Sequence, residues 1–163
     1  MPTKAATPTF RILDPGEIDR LLTANHVARI AYTFHGRVDI EPIHYVYEDG
    51  VIYMRTAPGS KLASLAHSPW IALEVDEIQG PFDWQSVVAH GTVYVRRDNG
   101  SPLEREAHGH AVECLRSWMP NAFSDGDPTP TRTIVLEVRP DELTGRAAAT
   151  SARPAITGTR RPT

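Results

Sequence analysis

The chain has 163 residues, 17 of them Lys or Arg and 20 Asp or Glu, for a formal charge of −3 with neutral histidine. That length supplies one core and falls short of two independent ones, and the acidic balance leaves no surplus of cations for a nucleic-acid backbone, so DNA and RNA are set aside as partners. The single cysteine, Cys114, excludes an intrachain disulfide and a multi-cysteine zinc site; no apolar run reaches the length of a membrane span, and the opening MPTKAATPTF lacks a signal-peptide core, so a soluble cytoplasmic protein is expected.

Residues 1–10 and 150–163 are rich in Thr, Pro, Ala and Arg without apolar periodicity, which predicts flexible ends around one domain at 11–149. Asp14-Pro15-Gly16-Glu17 combines an N-cap, a proline at the first helical position and a glutamate three after the cap. A helix is predicted from there to about Ala24, with Ile18, Leu21 and Leu22 inward.

The period then changes. Residues 27–34 and 37–47 flank His35-Gly36 and alternate over much of their length, as a hairpin does. Asp49-Gly50 is a type I′ turn signal, since both central residues of that turn need positive φ, and it leads into a strand at 51–55. Ser60 is placed to cap a short helix through Leu62, Leu65 and His67, ended by Ser68-Pro69.

Strands at 70–76 and 85–96 follow, with Gly91 suited to a bulge or bend in the second. Ser101-Pro102-Leu103-Glu104 repeats the capping arrangement and opens the longest helix, with Leu103, Ala107, Ala111, Cys114 or Leu115, and Trp118 on one stripe. Residues 121–132 read as a surface loop, 133–138 as a strand, and Pro140-Asp141-Glu142 as a turn into a last short strand at 143–146. The sum is mainly β with flanking helices: six or seven antiparallel strands and no βαβ repeat, so a small closed or nearly closed barrel is expected.

The segment that carries chemistry is 41–61, EPIHYVYEDGVIYMRTAPGSK. A phosphate monoester needs cations, hydroxyls and unpaired backbone N–H groups. Arg55 and Lys61 supply charge, Thr56 and Ser60 supply hydroxyls, and the amides opening a helix at Ser60 supply the third class. Spacing alone is equally compatible with a plain cap beside two surface charges.

Over residues 12–146 the chain resembles the FMN-binding split-barrel family of pyridoxamine 5'-phosphate oxidase-like proteins. The resemblance rests on a strand ending in Pro42, the aromatic strand after it, the Asp49-Gly50 turn, Arg55-Thr56, Ser60-Lys61-Leu62, the Pro69-preceded strand, the segment 86–91 (SVVAHG) and the closing 143–146 (LTGR). It implies a six- or seven-stranded split barrel that binds FMN at the interface of a homodimer, as an oxidoreductase passing electrons from a donor such as NAD(P)H to a small-molecule acceptor. Carried over by position, main-chain groups of Ile43, His44 and Tyr45 would face the isoalloxazine, Arg55, Thr56, Ser60 and Lys61 would grip the phosphate, and Ser86 would lie near the ring's pyrimidine edge.

A deazaflavin cofactor, a haem-binding cousin and a flavin-binding dimer without turnover are the alternatives. The oxidase's product-binding C-terminal tail is not recognisable in 147–163, and the nitroimidazole-reductase branch often has His where this chain has Ser60.

Other polar signals are weaker. The seven histidines suggest no metal site, since His108 and His110, two apart on a helix, diverge. His44 faces either a satisfying neighbour or a substrate. Cys114, with no evident cationic neighbour, reads as a small buried hydrophobe, and Trp70, Trp84 and Trp118 as core first and interface second. No side chain stands out as a catalytic acid or base.

Overall fold

A computed structural model describes residues 7–150. Its elements in chain order are β1 (Pro8–Ile12), α1 (Pro15–Ala24), β2 (Val27–Phe34), β3 (Arg37–Glu48), β4 (Val51–Thr56), α2 (Ser60–His67), β5 (Trp70–Gly80), β6 (Asp83–Arg96), α3 (Pro102–Trp118) and β7 (Ile134–Thr150). The seven strands form one antiparallel sheet in the order β1-β7-β4-β3-β2-β5-β6, and a further β7–β6 pairing closes it into a barrel. β7 makes the closure: its first half lies between β4 and β6, and where β4 ends, β1 takes over the vacated edge.

Local chemistry explains the elements. Asp14 and Ser101 each accept from the amide three residues on while Glu17 and Glu104 reach back to the cap, so both predicted capping boxes are formed. Both hairpin turns have two consecutive residues at positive φ, His35-Gly36 (47° and 76°) and Asp49-Gly50 (49° and 81°), which matches the right-handed twist of the flanking strands. One core fills the barrel, including Ile30, Tyr45, Met54, Leu73, Val87 and Leu136. A second lies outside it, where Ala111, Cys114 and Leu115 of α3 cover Val46, Tyr53 and Val135.

Several expectations change. Pro8, Thr9 and Phe10, read as part of a flexible end, pair with Thr150, Ala149 and Ala148; residues 1–6 and 151–163, the rest of the predicted flexible ends, lie outside the described residues. Pro140-Asp141-Glu142 is no turn. β7 runs through it, with His90 opposite Glu142 and Gly91 opposite Pro140, so Asp141 is the extra residue of a bulge. Gly91 permits that approach, because a Cβ there would sit 2.7 Å from the Arg139 carbonyl oxygen. The N-cap of α2 is Gly59, and Ser60 is its first helical residue. Trp70 and Trp118, expected in the core, are exposed, while Trp84 is half-buried against Phe10.

Candidate functional site: the slot between β3 and β4

β3 and β4 pair from Glu48↔Val51 to Tyr45↔Met54 and then part, while the other edge of β4 stays with β7 from Ile52↔Val138 to Thr56↔Ile134. The earlier half of β3 stays with β2 alone. The barrel is split along this line, and the connection from Thr56 to α2 borders the opening. Every residue singled out in 43–61 lies on this slot, although not all face it.

Alternation decides which do. Consecutive strand residues point to opposite faces, so Arg55 and Thr56 cannot share one ligand group. Thr56 is buried on the barrel side. Arg55 points outward and is engaged by the loop after α3: its guanidinium donates to both Asp127 carboxylate oxygens at 2.5 and 2.8 Å and to Thr129 Oγ1 at 2.6 Å, and lies 5.0 Å from the centre of the Phe123 ring. Asp127 also accepts from the amides of Phe123 and Thr129 at 2.9 Å. The Arg55 guanidinium, followed by those amides, holds the Asp127 carboxyl well below the usual carboxylate range. Arg55 therefore leaves the predicted phosphate grip; it anchors the loop after α3 to β4. A basic residue read from sequence shows its charge but not the carboxylate 72 positions away that consumes it.

Lys61 is placed differently. Its ammonium meets Glu41 Oε2 at 2.6 Å, and the other oxygen of that carboxylate accepts from the Tyr32 hydroxyl at 2.5 Å. Lys61 and then Tyr32 lower the Glu41 pKa, while burial, then the bond to Glu41, push the Tyr32 phenol up to about 12. The first intrahelical bond of α2 runs from the Ala63 amide to the Gly59 carbonyl, so the amides of Ser60, Lys61 and Leu62 have no partner within the helix. Ser60 is exposed beside them. A cation, two hydroxyls and three helix-opening amides at one end of the slot fit a phosphate ester. Sequence reasoning missed Glu41 and Tyr32, although Glu41 opens the motif and Tyr32 sits in a predicted strand.

The predicted ring contacts divide by the same alternation. The Tyr45 amide donates to the His26 carbonyl at 3.0 Å and its carbonyl faces the His26 ring, so Tyr45 has no peptide group to offer. Ile43 faces β2 likewise, opposite Ala28, and both side chains lie in the barrel core. The peptide of His44 turns to the opposite edge, toward the slot. Its exposed imidazole lines a cavity of about 240 Å³ with Arg55, Met119, Pro120, Asn121, Ala122, Pro128 and Thr129. Ser86 lies apart on β6, with β2 and β5 between it and β3, and donates to Glu74 at 2.7 Å beside the Arg29 pairs with Glu74 and Asp76.

The two remaining concavities near the slot flank it. One of about 460 Å³ lies between α2 and the β2–β3 turn, lined by Thr33, Phe34, His35, Gly36, Ala63, Ser64, His67 and Ser68. Another of about 420 Å³ is bordered by Val27, Arg29, Pro42, Asp76 and Trp118, whose indole stacks on His26 at 3.8 Å between centroids. Among the described residues no helix is long and apolar enough to cross a membrane.

Comparison with known proteins agrees with this architecture. Residues 14–147 match the family model described as pyridoxamine 5'-phosphate oxidase. The uncharacterized protein RA0666 of Rhizobium meliloti (strain 1021) is 27% identical over 148 residues, covering 85% of this chain and 95% of that protein. Among solved structures, a FAD-binding protein of Mesorhizobium loti superposes with a TM-score of 0.68 at 26% identity, covering 86% of this chain and 99% of its own. A FAD-binding protein of Mycobacterium smegmatis gives 0.60 at 25% identity, with 85% and 98% covered. With the family model spanning most of the barrel, this chain belongs to the pyridoxamine 5'-phosphate oxidase family and has its split-barrel fold.

Proposed function

We propose that this protein is a cytoplasmic, homodimeric flavin-dependent oxidoreductase that seats FMN in the slot between β3 and β4. The observation that carries the proposal is Lys61 at the slot's mouth, beside unpaired helix-opening amides and already holding a carboxylate where an anion would bind. Thr56, Ser60 and Lys61 would hold the phosphate, and the outward peptide of His44 would meet the ring. When bound, the flavin supplies two-electron transfer between a reduced donor such as NAD(P)H and a small-molecule acceptor.

The protein's part is placement and exclusion of water. The loop pinned by Arg55 and Asp127 walls the cavity beside the His44 imidazole, which puts that side chain where a substrate would approach. No acid–base role is assigned to a side chain there. Dimer formation would cover the outer face of β2, β3 and β5, where Val38, Ile40 and Trp70 stand exposed.

One observation favours FAD as the second reading. The concavity between α2 and the β2–β3 turn adjoins the phosphate end and is roomy enough for part of a nucleotide extension, and two of the similar structures are FAD-binding proteins. The deciding experiment is the absorption spectrum of freshly purified protein, then titration with riboflavin, FMN, FAD and a deazaflavin, with NAD(P)H oxidation followed in the loaded protein. Saturable FMN binding far tighter than that of riboflavin supports the proposal; absence of any flavin binding ends it.

A further inference from the structure

At the other end of the β3–β4 hairpin, away from the slot, three donor groups converge from two elements. Glu48 is the last residue of β3, just before the Asp49-Gly50 turn, and His110 and Cys114 stand one turn apart on the same face of α3. Their ligand atoms all lie within 4.8 Å of one another. Cys114 Sγ is 2.6 Å from Glu48 Oε2 and 3.5 Å from His110 Nε2.

As hydrogen bonds the cluster closes with the thiol donating to Glu48 and a neutral imidazole donating from Nε2 to the sulfur. With the thiol proton lost and Nε2 bare, the same three atoms offer a cation a thiolate, a ring nitrogen and a carboxylate oxygen. Thiolate, imidazole and carboxylate together suit zinc and its neighbours rather than calcium or magnesium, which take oxygen ligands. In a tetrahedral centre with Zn–S about 2.3 Å and Zn–N about 2.0 Å, sulfur and nitrogen stand roughly 3.5 Å apart, the separation found here. Glu48 is closer to the sulfur than such a centre needs, by about 1 Å; its exposed side chain beside a turn can withdraw that far.

The surroundings are also those of a held site. Cys114 is buried over Val46, Tyr53 and Leu115, and the Tyr53 ring meets His110 edge-on at 5.7 Å, limiting the imidazole's rotation. We propose that Glu48, His110 and Cys114 bind a thiophilic divalent metal ion of the zinc class, which clips α3 to the turn end of the β3–β4 hairpin, with a water as fourth ligand. The expected absence of a metal site looked for one in His108 and His110; the partners of His110 are instead four residues along the helix and on a neighbouring strand.

The test is titration of the full chain, reduced and freed of metal, with cobalt(II), read as difference spectra so that bound flavin does not interfere. One cobalt per chain should give a thiolate-to-cobalt charge-transfer band with tetrahedral d–d absorption, displaced by zinc. Because the chain has one cysteine, that band can come only from Cys114. Cys114→Ser should abolish it, and His110→Ala or Glu48→Gln should weaken binding by about tenfold or more. His110→Ala, an exposed substitution, serves alone if Cys114→Ser fails to fold. No charge-transfer band in the native protein, or equal cobalt affinity in the native and His110→Ala proteins, overturns the proposal.

Discussion

The ammonium of Lys61 and the carboxylate of Glu41 meet at 2.6 Å across the space between α2 and β3, with Tyr32 closing on the carboxylate's far oxygen. Glu41 thus occupies with its own charge the position in which a flavin phosphate would be held. The phosphate must share or displace that contact. Glu41→Gln is expected to tighten FMN several-fold and leave riboflavin unchanged, because only the phosphate competes for Lys61. Fluorescence titration of both ligands measures this; weaker FMN binding in the variant would make Glu41 an organiser of the site rather than a competitor.

Lys61 itself should separate the two ligands more widely. A hydrogen bond to a charged group contributes about 1.5–3 kcal/mol, or roughly 10- to 100-fold in affinity. Lys61→Ala is expected to weaken FMN by that factor and riboflavin by less than about twofold. Equal losses for both ligands would place the phosphate elsewhere.

The Arg55–Asp127 pair predicts a stability effect in place of the binding effect its charge suggests. Both side chains are 3% exposed, and removing one member of a buried pair strands the other. Arg55→Met is expected to lower the unfolding midpoint by on the order of 10 °C, with the Arg55→Met, Asp127→Leu double variant recovering part of the loss. The pH dependence has a definite sign. Asp127 is held below its unfolded value, so its contribution is present above about pH 4, the ordinary aspartate value, and is lost as pH falls toward the folded pKa. Thermal unfolding between neutral pH and pH 3 should show this loss in the native protein and less of it in Asp127→Asn.

These three cases mark what the sequence can and cannot disclose. The caps at Asp14 and Ser101, the two positive-φ turns and the alternation of β2 and most of β3 are local signals, and the structure has them where local chemistry requires. β1 was invisible because PTFRI has no pattern of its own and becomes a strand by pairing with a segment about 140 residues away. The bulge at Asp141 carries the sequence signal of a turn, because proline and acidic residues punctuate both. At the site, position along the chain located the slot, but partners remote in sequence set the state of Arg55, Lys61 and Cys114.

Gly91 tests the closure of the barrel. Its ideal Cβ would lie 2.7 Å from the Arg139 carbonyl oxygen and 3.1 Å from both Pro140 Cα and Val138 Cγ1. Two of these are backbone atoms and cannot rotate away. Gly91→Ala should destabilise the fold by about 1–3 kcal/mol, the usual range for overpacking, whereas Gly109→Ala, with open space at its Cβ, should not. Urea unfolding of the two variants makes the comparison.

The outer face of the sheet bears on assembly. Ala31 pairs with Ile40 on one side and Ala72 on the other, so all three project from the same face, with Val38 and Trp70 two residues further along it. Val38, Ile40 and Trp70 are 74%, 64% and 62% exposed. Large apolar side chains clustered this way on a sheet are usually covered by a partner, and a two-fold pairing of identical faces is the commonest arrangement. Placing one carboxylate opposite its symmetry mate adds like-charge repulsion to the lost apolar burial. Ile40→Glu is therefore expected to convert the dimer to monomer in sedimentation equilibrium and, since Ile40 adjoins Glu41 on β3, to lower FMN affinity in parallel. A monomeric native protein would remove the interface from the proposed function while leaving the Lys61 clasp to be judged by the titrations.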